Sequence, residues 1–222
     1  MSRYDRLLEL SSFSLEKLNK LHSYNVLIIG VGGVGQYVST SLVTNGIVDL
    51  TIVDFDKVEL SNLNRQILLT EEDVSKKKVD VVKKALQARN KEANINVIDM
   101  KVDESNIDSL IKEFDVVVDA VDNWPSKLII SKACHEQNKL HLHVGVDGYV
   151  GQYCLFKNKY LLDIVSEEVT KEKRDGVMGP MVGTLSSMAA LYLLRYLSND
   201  ESETDTLYSF DSIKNRLVNF KI

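Results

Sequence analysis

Cysteine, proline, basic excess and long apolar runs are what this chain has least of. Only two cysteines occur in 222 residues. They are Cys134 and Cys154, far apart and in no Cys-x-x-Cys pair, which excludes a thiolate zinc centre. No zinc is expected, and both thiols read as buried small hydrophobes. Of the two prolines, Pro125 is placed to start a helix and Pro180 stands just ahead of one. No apolar run reaches membrane length, and Met1-Ser-Arg-Tyr-Asp-Arg6 lacks a signal-peptide profile. A cytoplasmic protein with no membrane partner is expected. Net charge is −5 and the pI about 5.5, which argues against DNA or other nucleic-acid binding. There are no repeats and no low-complexity tracts.

What is present is ample core material, with 44% hydrophobic residues, enough for one large domain or one domain with a small appendage. Short helices are predicted at 2–9 and 14–21, the second capped by Ser14. Strands are predicted near 25–29, 49–54, 95–101, 115–120 and 140–146. Helices near 33–45, 75–90, 105–113 and 124–138 fall between them. This alternation predicts a parallel sheet with helices on both faces. The rhythm then changes. Gly148–Lys157 reads as a strand paired by a turn with 140–146. Residues 158–176 form a polar loop with the charge cluster Lys171–Arg174, and a helix follows at about 182–198. A hairpin of 206–210 and 216–221 comes after it. The fold class is therefore α/β: a Rossmann-like, doubly wound, mainly parallel sheet with a C-terminal antiparallel extension.

Val26–Ile29 runs straight into Gly30-Val-Gly32-Gly33-Val-Gly35, a strand followed by G-x-G-x-x-G. Gly30 permits the tight turn, Gly32 lets backbone approach a phosphate, and Gly35 lets the helix pack on the strand. The helix N-terminus then offers free N–H groups to an anion. Asp54 closes the next strand where a carboxylate can accept from ribose hydroxyls. Strand, turn, helix and acid together predict a nucleotide site without choosing among NAD, FAD, SAM and ATP.

More chemistry gathers at the same sheet edge. Asp54 and Asp56 alternate. Asn62, Arg65 and Gln66 follow on a polar turn, Lys76–Lys78 opens a helix, and Asp119-Ala-Val-Asp122-Asn123 closes the fourth strand. Arginine and lysine neutralise a triphosphate and a developing pyrophosphate charge, and an aspartate can hold a magnesium ion. Singly, Arg65 and Lys78 also read as solvated surface charges, and Asp122 as a helix N-cap. Jointly they read as a site for attack on an α-phosphate.

The chain resembles the MoeB/ThiF/HesA family, bacterial relatives of ubiquitin-activating enzymes. The resemblance is collinear, through Arg3–Arg6, the glycine turn, Val53–Gln66, Lys76–Lys78, Asp119–Asn123, Gly176–Gly183 and Tyr208–Ser212. It implies one adenylation domain over 1–222, with a helical arm at 1–24, a nucleotide-binding core at 25–146 and a C-terminal part at 147–222. It implies ATP and Mg²⁺, with adenylation of the C-terminal glycine carboxylate of a small ubiquitin-like sulfur-carrier protein. On that pattern Gly30, Gly32, Gly33 and Gly35 line the ATP turn and Asp54 binds the ribose beside Asp56. Asn62, Arg65 and Lys78 contact phosphates, Gln66 assists Arg65, and Asp122 holds Mg²⁺. Arg6 resembles an arginine lent to the partner's ATP, which implies a homodimer.

The chain departs from the family in lacking the zinc cysteines and a cysteine in the 158–176 loop. A peptide, a small molecule or modified tRNA stays open as the carboxylate substrate. Two other classes stay open as well. One is an NAD(P)-dependent oxidoreductase, which leaves Asn62–Gln66, Lys78 and Asp122 without work. The other is a non-catalytic scaffold. His141 and His143 share one side of a strand and read as hydrogen-bonded residues rather than metal ligands. Trp124 reads as packing rather than adenine stacking. Leu191–Leu194 reads as core or dimer face.

Overall fold

The computed structural model describes residues 2–166, 176–199 and 203–222. Among the described residues, eight strands form one sheet: β1 Asn25–Ile29, β2 Asp49–Asp54, β3 Asn94–Asp99, β4 Val116–Asp119, β5 Leu140–Asp147, β6 Val150–Phe156, β7 Thr206–Asp211 and β8 Arg216–Lys221. The order is β3-β2-β1-β4-β5-β6-β7-β8. Strands β1 to β5 pair in parallel, and β5 to β8 pair antiparallel. The expected parallel sheet with an antiparallel extension is thus what forms, hairpin included.

The helices are α1 Asp5–Leu8, α2 Leu15–His22, α3 Gly33–Thr44, α4 Lys78–Arg89, α5 Ile107–Ile111, α6 Trp124–Glu136 and α7 Gly179–Leu197. Successive side chains of a strand point to opposite faces, and this divides the core in two. Val26, Ile28, Leu50, Ile52, Val116 and Val118 pack with residues of α2, α3, α4 and α7. Leu27, Ile29, Val53 and Val117 pack with residues of α5 and α6. Cover on both faces explains why β1 and β4 are apolar without alternation.

Helix ends show the local physics. Ser14 accepts from the Lys17 N–H at the start of α2, and Asn123 accepts from Ser126 at the start of α6, with Pro125 in the first turn. Helix α7 begins before Pro180 rather than after it, since proline is tolerated where an N–H has no helical partner. Helix α4 begins three residues later than the pattern predicts. Ser75 has φ 74, and its N–H and the Lys76 carbonyl bond Val58 instead of continuing the helix. The charge cluster Lys171–Arg174 lies outside the described residues.

Strand order reverses between β1 and β4. In such a sheet the crevice beyond the carboxyl ends of the strands is where ligands bind.

Candidate active site

A cleft of about 1130 Å³ opens at this reversal. Of the residues given a role toward ATP or Mg²⁺, Gly30, Gly32, Gly33, Asp54, Asp56, Asn62, Arg65, Gln66, Lys78 and Asp122 line it, and Gly35 and Arg6 do not.

The glycine turn forms its floor. Gly30 has φ 91, and a Cβ there would stand 2.8 Å from the Ala120 carbonyl oxygen. The turn is tied sideways: Gly30 N–H donates to the Val53 carbonyl, and Val31 N–H donates to Asp54 Oδ2 at 2.8 Å. The other oxygen, Oδ1, accepts from Asp56 N–H at 2.8 Å. Burial raises the Asp54 carboxyl above the ordinary aspartate value, against the lowering effect of these two N–H groups and Lys78. Gly35 sits behind the turn rather than on the cleft. Its Cβ would lie 2.0 Å from the Gly30 carbonyl oxygen, so its role is close packing of α3. No side chain caps α3 at Gly32, which leaves the N–H groups of its first turn facing the cleft.

Asn62 closes a 3₁₀ turn, Leu60–Asn62. Its Oδ1 accepts from Glu59 N–H at 3.1 Å, so that oxygen already has a structural duty. The Arg65 guanidinium donates to the Ser61 carbonyl at 3.1 Å and to Asn64 Oδ1 at 2.8 Å. Gln66 pairs with Gln36 rather than with the Arg65 guanidinium. It is buried, and its Oε1 accepts from Gln36 Nε2 at 3.3 Å. Gln36 also donates to the Val31 carbonyl at 2.9 Å and accepts from Leu68 N–H at 2.8 Å. This fully buried glutamine therefore couples the glycine turn to the Asn62–Gln66 segment. Nothing in the sequence pattern marked it, because a glutamine inside a helix is ordinary.

Lys78 is buried rather than solvated, and its Nζ lies 2.8 Å from Asp56 Oδ2. Asp122 is exposed on the cleft wall, with Asn123 Nδ2 at 3.5 Å from its Oδ1. The N-cap of α6 is Asn123, which leaves Asp122 open to the cleft. Among the described residues no group of three or more His, Cys, Asp or Glu is arranged to hold a metal. Any cation at Asp122 would need oxygens from a ligand as well.

Asp119 is turned under the wall. It is fully buried, with both oxygens on Lys127 Nζ at 3.0 and 3.1 Å and Oδ2 at 2.8 Å from His143 Nδ1. Burial opposes its ionisation, but Lys127 and the hydrogen-bonded His143 outweigh that and hold its carboxyl below the ordinary value. His141 shares the side of His143, with ring centres 6.5 Å apart. It is stacked on Phe156, and neither of its ring nitrogens has a partner, so the expected hydrogen bonding holds for His143 and fails for His141. Trp124 stacks on His143 and packs beside Cys154 and Phe156. Both cysteines are buried, and burial pushes both thiols up.

Arg6 stands apart. It pairs with Glu9 at 2.7 Å, and its side chain is 91% exposed. The neighbouring Arg3 donates to the carbonyl of Arg89, at the end of α4 that leads into the start of β3. That is the edge of the sheet opposite the cleft. Arg6 does not line the cleft of its own chain.

Comparison with known proteins agrees with this geometry. The model of the ThiF family matches residues 4–222. The chain is 32% identical over 202 residues to a probable molybdopterin-synthase adenylyltransferase of Gracilaria tenuistipitata var. liui, covering 88% of this chain and 57% of that one. It is 30% identical over 216 residues to the sulfur carrier protein ThiS adenylyltransferase of Escherichia coli, covering 94% and 86%. Among solved structures, E. coli MccB with AMPCPP and MccA superposes with a TM-score of 0.85 at 22% identity, over 99% of this chain and 71% of that one. The chain thus spans little more than half of some relatives and most of others. With the family model matching nearly its whole length, the chain belongs to the ThiF family.

Proposed function

We propose that the chain is an ATP-dependent adenylyltransferase that activates a C-terminal carboxylate. The observation that carries this reading is the meeting of the uncapped α3 N-terminus, Arg65 and Lys78 with Asp122 in one cleft. An NAD(P) site would need the glycine turn and Asp54 but would give those three side chains no task. A triphosphate engages all of them.

A C-terminal carboxylate is ionised at neutral pH, so no base is required. One of its oxygens bonds to the α-phosphorus, the bond from that phosphorus to the pyrophosphate oxygen breaks, and pyrophosphate leaves. The chain's own groups act on charge: the α3 N–H groups, Arg65 and Lys78 screen the phosphates from the incoming anion and take up charge on the leaving group. Asp54 accepts from the ribose. Gly32 fits the role of phosphate floor, since a Cβ there would meet nothing nearer than Gln66 Nε2 at 3.8 Å. Magnesium, held at Asp122 with phosphate oxygens, would add further neutralisation. The active unit in this reading is a cytoplasmic homodimer without structural zinc, each chain lending Arg6 to its partner.

The substrate we favour is the C-terminal glycine of a small ubiquitin-like sulfur carrier, supported by the names of the adenylyltransferase relatives. ATP–pyrophosphate exchange tests this directly. Exchange is expected with a sulfur carrier ending in a free glycine carboxylate and not with its C-terminally amidated form. Exchange with short free peptides but no carrier would move the substrate to a peptide. No exchange with either, together with thermal stabilisation by NADH and not by Mg-ATP, would overturn adenylation.

A further inference from the structure

Beneath the cleft two of its walls are joined through one buried ammonium. Lys127, in the second turn of α6, has no exposed surface. The β4–β5 ladder ends at the pair Asp119 and His143. Val144 is the first residue of β5 beyond it, and its carbonyl accepts from Lys127 Nζ at 2.9 Å. The same Nζ holds both oxygens of Asp119. Asp119 Oδ1 in turn accepts from the Val121 N–H at 3.3 Å. Gln152 Nε2 lies 3.4 Å from His143 Nε2, on the side of the ring away from Asp119. The cluster thus gathers a carboxylate, an ammonium and an imidazole in one buried network. Val121, Asp122 and Asn123 on one side, and Val144 on the other, line the cleft.

We infer that Lys127 is a positioning residue: it locks the Val121–Asn123 turn to the end of β5 and so fixes Asp122 where a metal-bound phosphate is received. A buried ion pair is a poor source of net stability, since an apolar pair of similar volume often serves as well. Its distinctive contribution here is geometric, because Lys127 supplies the link that the strand ladder no longer makes past Asp119. The consequence for Asp122 rests on the adenylation reading; the ordering of the turn does not.

Lys127→Met alone strands a buried carboxylate, so the test uses Lys127→Met combined with Asp119→Asn, which removes both charges and keeps an acceptor for His143. Three quantities are measured against wild type: backbone hydrogen exchange, metal-free ADP binding and Mg-ATP binding by calorimetry. The double variant is expected to melt within a few degrees of wild type. Exchange should quicken at residues 120–124 and not in β1 or α3. Metal-free ADP affinity should hold within about twofold, while Mg-ATP affinity falls by about tenfold or more, as for lost support of a ligand group. Wild-type protection at 120–124 with unchanged Mg-ATP affinity overturns the inference. So does uniform loss of protection or failure to fold, which would make the pair merely structural. If wild type binds Mg-ATP but exchanges pyrophosphate with no carboxylate, the adenylation reading fails while the exchange data still judge Lys127.

Discussion

Lys78 Nζ lies 2.8 Å from Asp56 Oδ2, and the two partners differ in exposure: 7% for the lysine side chain and 48% for the aspartate. Removing each therefore has a different consequence. Without the ammonium, Asp56 is re-solvated at little cost. Without the carboxylate, a buried ammonium is left unpaired. Lys78→Met, which keeps the aliphatic stem, is expected to change stability by less than about 1 kcal/mol. Asp56→Ala is expected to cost about 2 kcal/mol. Activity should rank the other way, with Lys78→Met lowering pyrophosphate exchange by about 100-fold or more. Urea denaturation and exchange assays on both variants check this. A larger stability loss for Lys78→Met would contradict it.

Two glycines of one turn should separate folding from binding. At Gly35 a Cβ meets the Gly30 carbonyl oxygen at 2.0 Å, and neither backbone can give way. Gly35→Ala is expected to cost about 3 kcal/mol or more, or to prevent folding. At Gly32 the nearest atom is 3.8 Å away and φ is −71, so Gly32→Ala should cost under about 1 kcal/mol. Its methyl would nevertheless occupy the approach of a phosphate, and ATP affinity should fall about tenfold or more. Calorimetry of ATP binding, read beside thermal melts, distinguishes the two outcomes.

The elements that sequence made legible are those whose signal is local. β1 is an apolar run because both its faces are covered, and Pro125 marked the start of α6, although the cap fell to Asn123 rather than Asp122. The cleft residues were legible because chain order places strand ends at one edge of a parallel sheet. What could not be read was side-chain pairing across elements. Gln66 turned to Gln36 rather than to Arg65, and Lys78 was buried by Asp56 rather than left at the solvent. The Asp119–Lys127–His143 cluster joins β4, α6 and β5, whose residues are ordinary at their own positions. The start of α4 was missed for a similar reason, since Val58 captured the backbone of Ser75 and Lys76 from the other side of the loop.

His141 should make stability depend on pH below neutrality. Burial lowers its pKa from 6.5 to about 3; Asp119 opposes this shift, and His143 and Lys127 add to it. The folded state thus keeps the ring neutral where the unfolded chain takes up a proton. Stability from this group is complete above about pH 6.5 and is lost progressively as pH falls toward 3, by at most about 1.4 kcal/mol per pH unit. His141→Phe removes the titration. It also removes two unpartnered ring nitrogens while keeping a ring to stack on Phe156. The variant is expected to match wild type near pH 8 and to exceed it by about 1 kcal/mol or more at pH 5. Urea midpoints from pH 4.5 to 8 measure the difference, and parallel curves for the two proteins would show that His141 is protonated in the fold.

Arg6 gives the sharpest test of assembly. Its guanidinium is nearly fully exposed, its recorded partner is Glu9, and its helix is anchored at the sheet edge opposite the cleft. It does not line the cleft of its own chain. If it acts, it acts in a partner's site, and composite sites can be complemented. Arg6→Ala and Asp122→Ala homodimers are each expected to lose pyrophosphate exchange by about 100-fold or more. Neither should lose stability, since both side chains are exposed and weakly held. Mixed and allowed to exchange subunits, they form heterodimers in which one site has both residues and the other has neither. Random pairing makes about half of all dimers mixed, each with one intact site of two, so activity should recover to about one quarter of wild type. Recovery should scale with the heterodimer fraction measured by native mass spectrometry. Heterodimers that form and remain inactive would remove Arg6 from the site and leave it a surface residue paired with Glu9.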